Sequence, residues 1–292
     1  MHNRPRLDRK IQTSEGRINK INAINKAGLF KMDMAIVRLL AALTPSCLLL
    51  PAHALELKVC IENDDFPPFD FRPESKQQRL IGDSAGSSIE LLQYLGKKLK
   101  FSVRLQRLPW LRCLQSVESG AMDMALDAYY SPERAARFDY SRPYYYLTPQ
   151  IFFLRSRFPD GPPAQTIAQL KPLRGCGIHG YAYSHYGLED TDLDLKAQTH
   201  EQLVEKLKAG HCDFFLEELE ILQGFALTGR NYLADTQIDS AEVPDAAHPQ
   251  LHLLLSRNSK PLLTLRPALN QAIEQYTSEG RMIGSVRRLL KH

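Results

Sequence analysis

Nowhere in this 292-residue chain do about eighteen apolar residues run together, which argues against a membrane-spanning helix and for a soluble mature protein. A surplus of one charge is missing too, once the N-terminus is set apart. Nine of the 37 Lys and Arg and three of the 33 Asp and Glu lie in residues 1–54, leaving 28 basic against 30 acidic residues and a net charge near −2. No basic face is clustered in that remainder, so nucleic acid is not expected as a partner. His179, His185, His200 and His211 have no coherent metal-ligand spacing, and neither a metal nor a cofactor is expected. Gly175-x-Gly177-x-x-Gly180 formally matches a dinucleotide fingerprint, but the "QLKPLR" before it is no hydrophobic strand and the match carries no weight alone.

The N-terminus does carry a signal. From Met34 the chain reads "MAIVRLLAALTPSCLLLPAHA", with Arg38, a short apolar stretch over residues 39–50, and the small-x-small pattern Ala52-His53-Ala54. This predicts a secretory leader over residues 1–54, cut after Ala54, and a periplasmic mature chain. Residues 1–33 are either a basic extension of that leader or the product of a start codon placed too early.

From Leu55 short apolar strands alternate with amphipathic helices. "LELKVCIEN" reads as a strand, "SSIELLQYLGKKLK" as a helix, "FSVRLQRL" as a strand, "PWLRCLQSVESG" as a helix and "AMDMALDA" as a strand. A second cycle runs from "PQIFFLRS" through "THEQLVEKLKAG" to "CDFFLEE", and two helices end the chain. This order predicts an α/β fold. "LQSVESGAMDMALDA" and "LVEKLKAGHCDFFLEE" echo one another as helix, Gly, Asp, apolar strand and polar residue, which suggests two lobes offering strand ends to a shared cleft.

Four features in order, "DDFPPFDF", the Gly-x-x-Asp strand ending in "SPER", "FDYSRPYYY" and "AGHCDFFLEE", resemble the periplasmic solute-binding proteins of the polar amino-acid type, family 3. The resemblance spans Leu55 to His292, and "PWLRC" looks like one branch of the family. It implies a two-lobed type II periplasmic-binding-protein fold, with two α/β lobes joined by two crossover strands. Lobe 1 would comprise residues 55–148 with 250–292, and lobe 2 residues 149–249. Cys47 leaves with the leader, and the four remaining cysteines allow three pairings. Cys60 with Cys113 and Cys176 with Cys212 keep each pair inside one lobe; four buried free thiols are the alternative.

By the same resemblance, Arg134, three residues after Ser131, holds a ligand carboxylate. Its planar fork bonds a carboxylate bidentately and cannot lose its charge. Ser131 before Pro132 also reads as a helix N-cap, and the competing role for Arg134 is an ion pair with Glu133 or Asp139. Asp127 and Tyr129 stand where the family carries small hydroxyl residues: Asp127 either neutralises Arg134 or meets a ligand cation, and Tyr129 fills space. Phe66 and Phe69 match an aromatic loop over the ligand, each alternatively a core residue. Trp110 either lines the cleft mouth or packs under the sheet. Tyr181 and Ala182 would begin a helix whose N–H groups face the cleft. Glu218 stands where the family places an acid for the ligand's amino group, and Glu217, its neighbour in an extended segment, should point away. The tyrosines at 144–146 are expected to pack the core or hinge.

The expected function is capture of a small polar solute bearing a carboxylate, such as an amino acid, by a monomer. Its partner would be the membrane permease of an ABC importer or, in a sensing role, a membrane receptor. No catalysis is expected; the alternative is a dehydratase-type enzyme on the same scaffold, with Glu218 or Asp127 as general acid.

Overall fold

The structure, a computed structural model, describes residues 55–243 and 246–291; the leader assigned to residues 1–54 lies outside them. The chain opens with β1 (Leu55–Glu62), whose Leu57, Val59, Cys60 and Ile61 are all buried. Next comes α1 (Ser87–Leu99), which buries Ile89, Leu91, Leu92 and Leu95 and stops at Lys100 in the left-handed region. It leads into β2 (Phe101–Leu108), α2 (Trp110–Ser119) and β3 (Met124–Tyr129). Pro109 opens α2 in an extended conformation and Gly120, at φ 80°, ends it as glycine readily does. A short α3 (Pro132–Arg137) and the two-residue β4 (Asp139–Tyr140) and β5 (Tyr145–Tyr146) complete this part.

The chain then crosses into a second sheet with β6 (Pro149–Leu154), α4 (Ile167–Leu170), β7 (Gly175–Ile178), β8 (Leu193–Ala197), α5 (His200–Lys208), β9 (Phe214–Glu218), α6 (Leu219–Gly224) and β10 (Ile238–Glu242). It returns through β11 (Gln250–Leu255) and ends in α7 (Lys260–Ser278) and α8 (Arg281–Leu289), both packed on α1. The first sheet has the order β2-β1-β3-β11-β4, with β5 also on β11; the second has the order β10-β6-β9-β7-β8. Strands β1, β2 and β3 are parallel, as are β7, β8 and β9, while β6 and β11 run antiparallel to their neighbours. The two crossing segments lie side by side, Leu147 N–H donating to Pro249 O at 2.9 Å and Val243 N–H to Pro149 O at 3.3 Å. Among the described residues no helix is long and apolar enough to cross a membrane.

Both expected disulfides form. Cys60–Cys113 ties β1 to α2, and Cys176–Cys212 ties β7 to the turn before β9, each with Cα atoms 5.7 Å apart. One expected element is absent. No α-helix starts at Tyr181 and Ala182; a turn there is followed by a single 3-10 turn, Ser184–Tyr186. Gly180 at φ 81° and Gly187 at φ 70° bracket this segment with left-handed residues, which break helical geometry at both ends.

The lobes touch closely away from the hinge. A Cβ at Gly224 of α6 would sit 2.5 Å from the carbonyl carbon of Pro67 in the loop after β1, so only hydrogen fits there.

Candidate functional site

Parallel strands present their C-terminal ends to the seam between the lobes, which is where ligands collect on open α/β sheets. From lobe 1, β1 delivers Glu62 and β3 delivers Asp127 and Tyr129; from lobe 2, the turn after β7 delivers Tyr181 and Ala182. These residues, with Phe66, Asp70, Trp110 and Arg134, enclose a space of about 30 Å³. That is room for a water or two. A larger ligand enters only when lobes or side chains move.

Arg134 is the cation of this wall. Ser131 caps α3 by accepting from the Arg134 N–H at 3.2 Å, and the short helix turns the guanidinium inward, 5.6 Å from the Trp110 ring. Only 7% exposed, the guanidinium donates to two backbone carbonyls, Tyr129 O at 3.3 Å and Gly180 O of the other lobe at 2.9 Å. It has no carboxylate partner among the described residues. Glu133 pairs instead with Arg137, and Asp139 with Arg257 and Arg266. Burial pulls the Arg134 pKa down from its ordinary value, a sign of a desolvated charge that its surroundings only partly offset.

Three carboxyl groups face the same space. Asp127 has φ 56°, and the β3–β11 register shifts between His252 and Leu254, so a bulge turns its side chain into the cleft. There it accepts from Ser88 Oγ and from Tyr144 Oη. Glu62 accepts from Tyr181 Oη across the seam at 2.7 Å, and Asp70 from Arg107 Nη2 at 2.8 Å. Burial raises all three pKa values: Glu62 to about 7, Asp70 to about 8 against the pull of Arg107, and Asp127 to about 6. Near neutral pH the cleft therefore holds one unpaired cation and several carboxyls at the edge of ionisation.

The sequence model of the bacterial extracellular solute-binding proteins, family 3, matches residues 57–283. The chain belongs to this family. No curated protein matches it significantly in sequence. Among solved structures, the amino acid ABC transporter substrate-binding protein AbpA from Streptococcus pneumoniae, bound to L-arginine, is similar with a TM-score of 0.64 and 21% identity, over 81% of this chain and 94% of that one. The arginine-, lysine-, histidine-binding protein ArtJ from Geobacillus stearothermophilus gives 0.62 and 17%, over 81% and 96%. A histidine kinase sensor domain with similarity to periplasmic binding proteins gives 0.61 and 21%, over 80% and 94%. These likenesses show the fold.

In this solute-binding protein seven of the ten residues singled out from sequence line one cavity: Phe66, Trp110, Asp127, Tyr129, Arg134, Tyr181 and Ala182. Ser131 stands behind it as the cap of α3. Phe69 does not reach it; fully buried, it packs edge-on against Tyr145 at 5.1 Å, which is the core alternative for this residue. Glu218 is also outside the lining. Its carboxylate is taken by Tyr129 Oη from lobe 1 and Tyr186 Oη at 2.8 Å, with His185 Nε2 3.3 Å away. Burial opposes charge on Glu218, but His185 and these hydrogen bonds outweigh it and hold the pKa low. Tyr181 contributes its hydroxyl instead of its N–H, which closes the turn onto Ile178 O at 3.2 Å. Of the tyrosines at 144–146, Tyr144 and Tyr145 are buried and Tyr146 is exposed.

Glu62 and Asp70 escaped the sequence reading. The strand-end rule applied to β1 points at Glu62; nothing local marks Asp70, which is set between two buried phenylalanines. A second unforeseen group is His200 at the start of α5, whose two ring nitrogens face Asp64 and Glu217. Glu217 and Glu218 are both buried and meet different partners, Glu217 His200 and Glu218 Tyr129 and Tyr186.

Proposed function

We propose that this protein captures an amino acid with a cationic side chain in the interlobe cleft, its α-carboxylate on Arg134 and its α-ammonium group among the carboxyls of Glu62, Asp70 and Asp127. The observation that carries this reading is Arg134 itself, a buried guanidinium whose hydrogen bonds go to backbone carbonyls and to no carboxylate. Such a charge is costly to desolvate, and a ligand carboxylate relieves that cost. With three carboxyls facing it, the site favours a ligand that brings positive charge as well. The arginine named for AbpA and the arginine, lysine and histidine named for ArtJ have that charge pattern.

In this reading residues 1–54 direct the chain to the periplasm, lobe 1 comprises residues 55–148 with 250–292, and lobe 2 residues 149–249. A monomer closes by a hinge at the two crossings and presents the closed form to an ABC importer permease or a membrane receptor. In this reading the chain does no catalysis: of the two candidate general acids of a dehydratase, Glu218 is held as the carboxylate by its partners, and Asp127 is occupied by Ser88 and Tyr144.

The test is calorimetric titration of the wild type and Arg134→Ala with L-arginine, L-lysine, L-glutamate and agmatine. L-Arginine and L-lysine should bind the wild type, agmatine, which lacks the carboxylate, should bind far more weakly, and Arg134→Ala should lose L-arginine by at least roughly 30-fold. Equal affinity for agmatine, or preference for L-glutamate, would sink the reading.

A further inference from the structure

Tyr129 is a wall of two spaces. On one side is the cleft, about 30 Å³; on the other is a recess of about 260 Å³ bounded by Tyr130, His185, His248, Gln250 and His252. Tyr129 is the residue the two linings share. Its ring stands edge-on to His185 at 5.4 Å, and its hydroxyl donates to Glu218.

The recess carries polar atoms without partners. The His185 side chain is nine-tenths buried, its Nδ1 has no hydrogen-bond partner, and its Nε2 lies 3.3 Å from Glu218 Oε1 but out of hydrogen-bond alignment. Buried polar atoms in folded proteins are nearly always paired, so an imidazole beside a cavity whose Nδ1 has no partner points to a ligand. The other two imidazoles have their tautomers set by what they touch. His248 Nδ1 is 2.8 Å from Leu147 O and His252 Nδ1 is 2.9 Å from Ser141 O. A carbonyl only accepts, so both Nδ1 atoms carry hydrogen, and in each neutral ring Nε2 keeps a lone pair. Burial favours the neutral form of His252. No group of three His, Cys, Asp or Glu among the described residues is close enough to hold a metal ion, so the recess suits an organic N–H donor.

We propose that the recess behind Tyr129 is the subsite for the cationic end of a long ligand side chain, an ammonium or guanidinium, opened when Tyr129 swings away from Glu218. This rests on the reading of the cleft as an amino-acid site. The cleft alone is too small for such a ligand, and the recess supplies the missing length. The imidazole nitrogens accept from its N–H groups, and the phenol faces of Tyr129 and Tyr130 attract its charge. The same swing frees the Glu218 carboxylate, which supplies the opposite charge. Tyr129 thus occupies, in the structure as it stands, a hydrogen bond that the ligand takes over.

The test is a titration series with one α-amino-acid head and a growing cationic tail: L-2,4-diaminobutyrate, L-ornithine, L-arginine and L-homoarginine. His248 is exposed, and His248→Ala leaves the core intact. Wild-type affinity should rise with tail length. His248→Ala should weaken L-arginine and L-homoarginine about tenfold and leave L-2,4-diaminobutyrate unchanged, and His185→Ala should do the same. In the folded wild type, the His248 imidazole ¹⁵N resonances should move with L-homoarginine and not with L-2,4-diaminobutyrate. If both variants keep the wild-type ratio of long to short tails while Arg134→Ala abolishes both, the recess proposal is overturned and the cleft reading stands. If no member of the series binds the wild type, the cleft reading fails and the recess proposal falls with it.

Discussion

His200 of lobe 2 holds Asp64 of lobe 1: its Nδ1 lies 3.3 Å from Asp64 Oδ2, and its Nε2 lies 2.9 Å from Glu217 Oε2 behind it. The ring is 1% exposed, so burial works against its charge, but Glu217 and Asp64 outweigh burial and hold its pKa up to about 10; burial and Glu218 raise Glu217 itself to about 8, so below that pH Asp64 is the charged partner. The seam between the lobes is therefore latched by a protonated imidazole between two acids, with Arg230 on Asp65 at 3.2 Å beside it.

The latch has a definite pH window. With a folded value near 10 against an ordinary 6.5, the stabilisation is fully present below about pH 6.5, shrinks above it and is gone once pH passes about 10. His200→Gln should cost about 3–5 kcal/mol at pH 6, as does breaking other buried ion pairs. Melting temperatures of both proteins from pH 6 to 10.5 check this; the gap should narrow steadily as pH rises, and a constant gap would mean a neutral ring.

Gly224 offers a way to disturb closure without touching the cleft. A methyl group there meets the Pro67 carbonyl carbon and oxygen at 2.5 Å, and backbone cannot step aside as a flexible side chain would. Gly224→Ala should prop the lobes apart, raise the radius of gyration in X-ray scattering and weaken L-arginine about tenfold or more. Helix stability itself should improve slightly, since alanine is favoured over glycine by about 1 kcal/mol.

Binding of a cationic amino acid should release protons. Glu62, Asp127 and Asp70 titrate near 7, 6 and 8 because burial disfavours their charged forms, and a cation beside them favours ionisation. The affinity for L-arginine should rise from pH 6 to pH 8. Calorimetry in buffers of different ionisation enthalpy counts the protons, and Glu62→Gln should lower the count.

Each disulfide closes a long loop, Cys60 and Cys113 being 53 positions apart and Cys176 and Cys212 36 positions apart. Loss of either should cost roughly 2–4 kcal/mol, or about 5–15 °C in melting temperature for a domain of this size. Scanning calorimetry of Cys60→Ser/Cys113→Ser and Cys176→Ser/Cys212→Ser, each beside the wild type, measures this.

Local pattern carried much of the architecture. The apolar run of β1, the i, i+3, i+4 spacing in α1 and the Pro109 and Gly120 punctuation of α2 mark elements because strands, helices and their ends each impose a period or a backbone angle on their own residues. Arg134 was legible for a similar reason. Ser131, Pro132 and the arginine form one short motif whose cap geometry is decided within four residues.

Other features have no local signature. Asp70 becomes a cleft residue because Arg107, 37 positions away, reaches back to it, and the Asp127 side chain faces inward because β3 bulges by one residue against β11, more than a hundred residues later. The family resemblance marks Glu218 as a ligand group, yet in the structure Tyr129 of the other lobe donates to it. By itself the sequence determined the α/β alternation and the capped start of α3 that carries Arg134, since periodicity and capping act over a few residues; the two lobes and the favoured cysteine pairs came with the family resemblance. Only the tertiary structure decided which acids face that cation and which are already satisfied. A buried carboxyl takes its protonation and its partner from whatever charge and hydroxyl the opposite lobe places within about 3 Å of it.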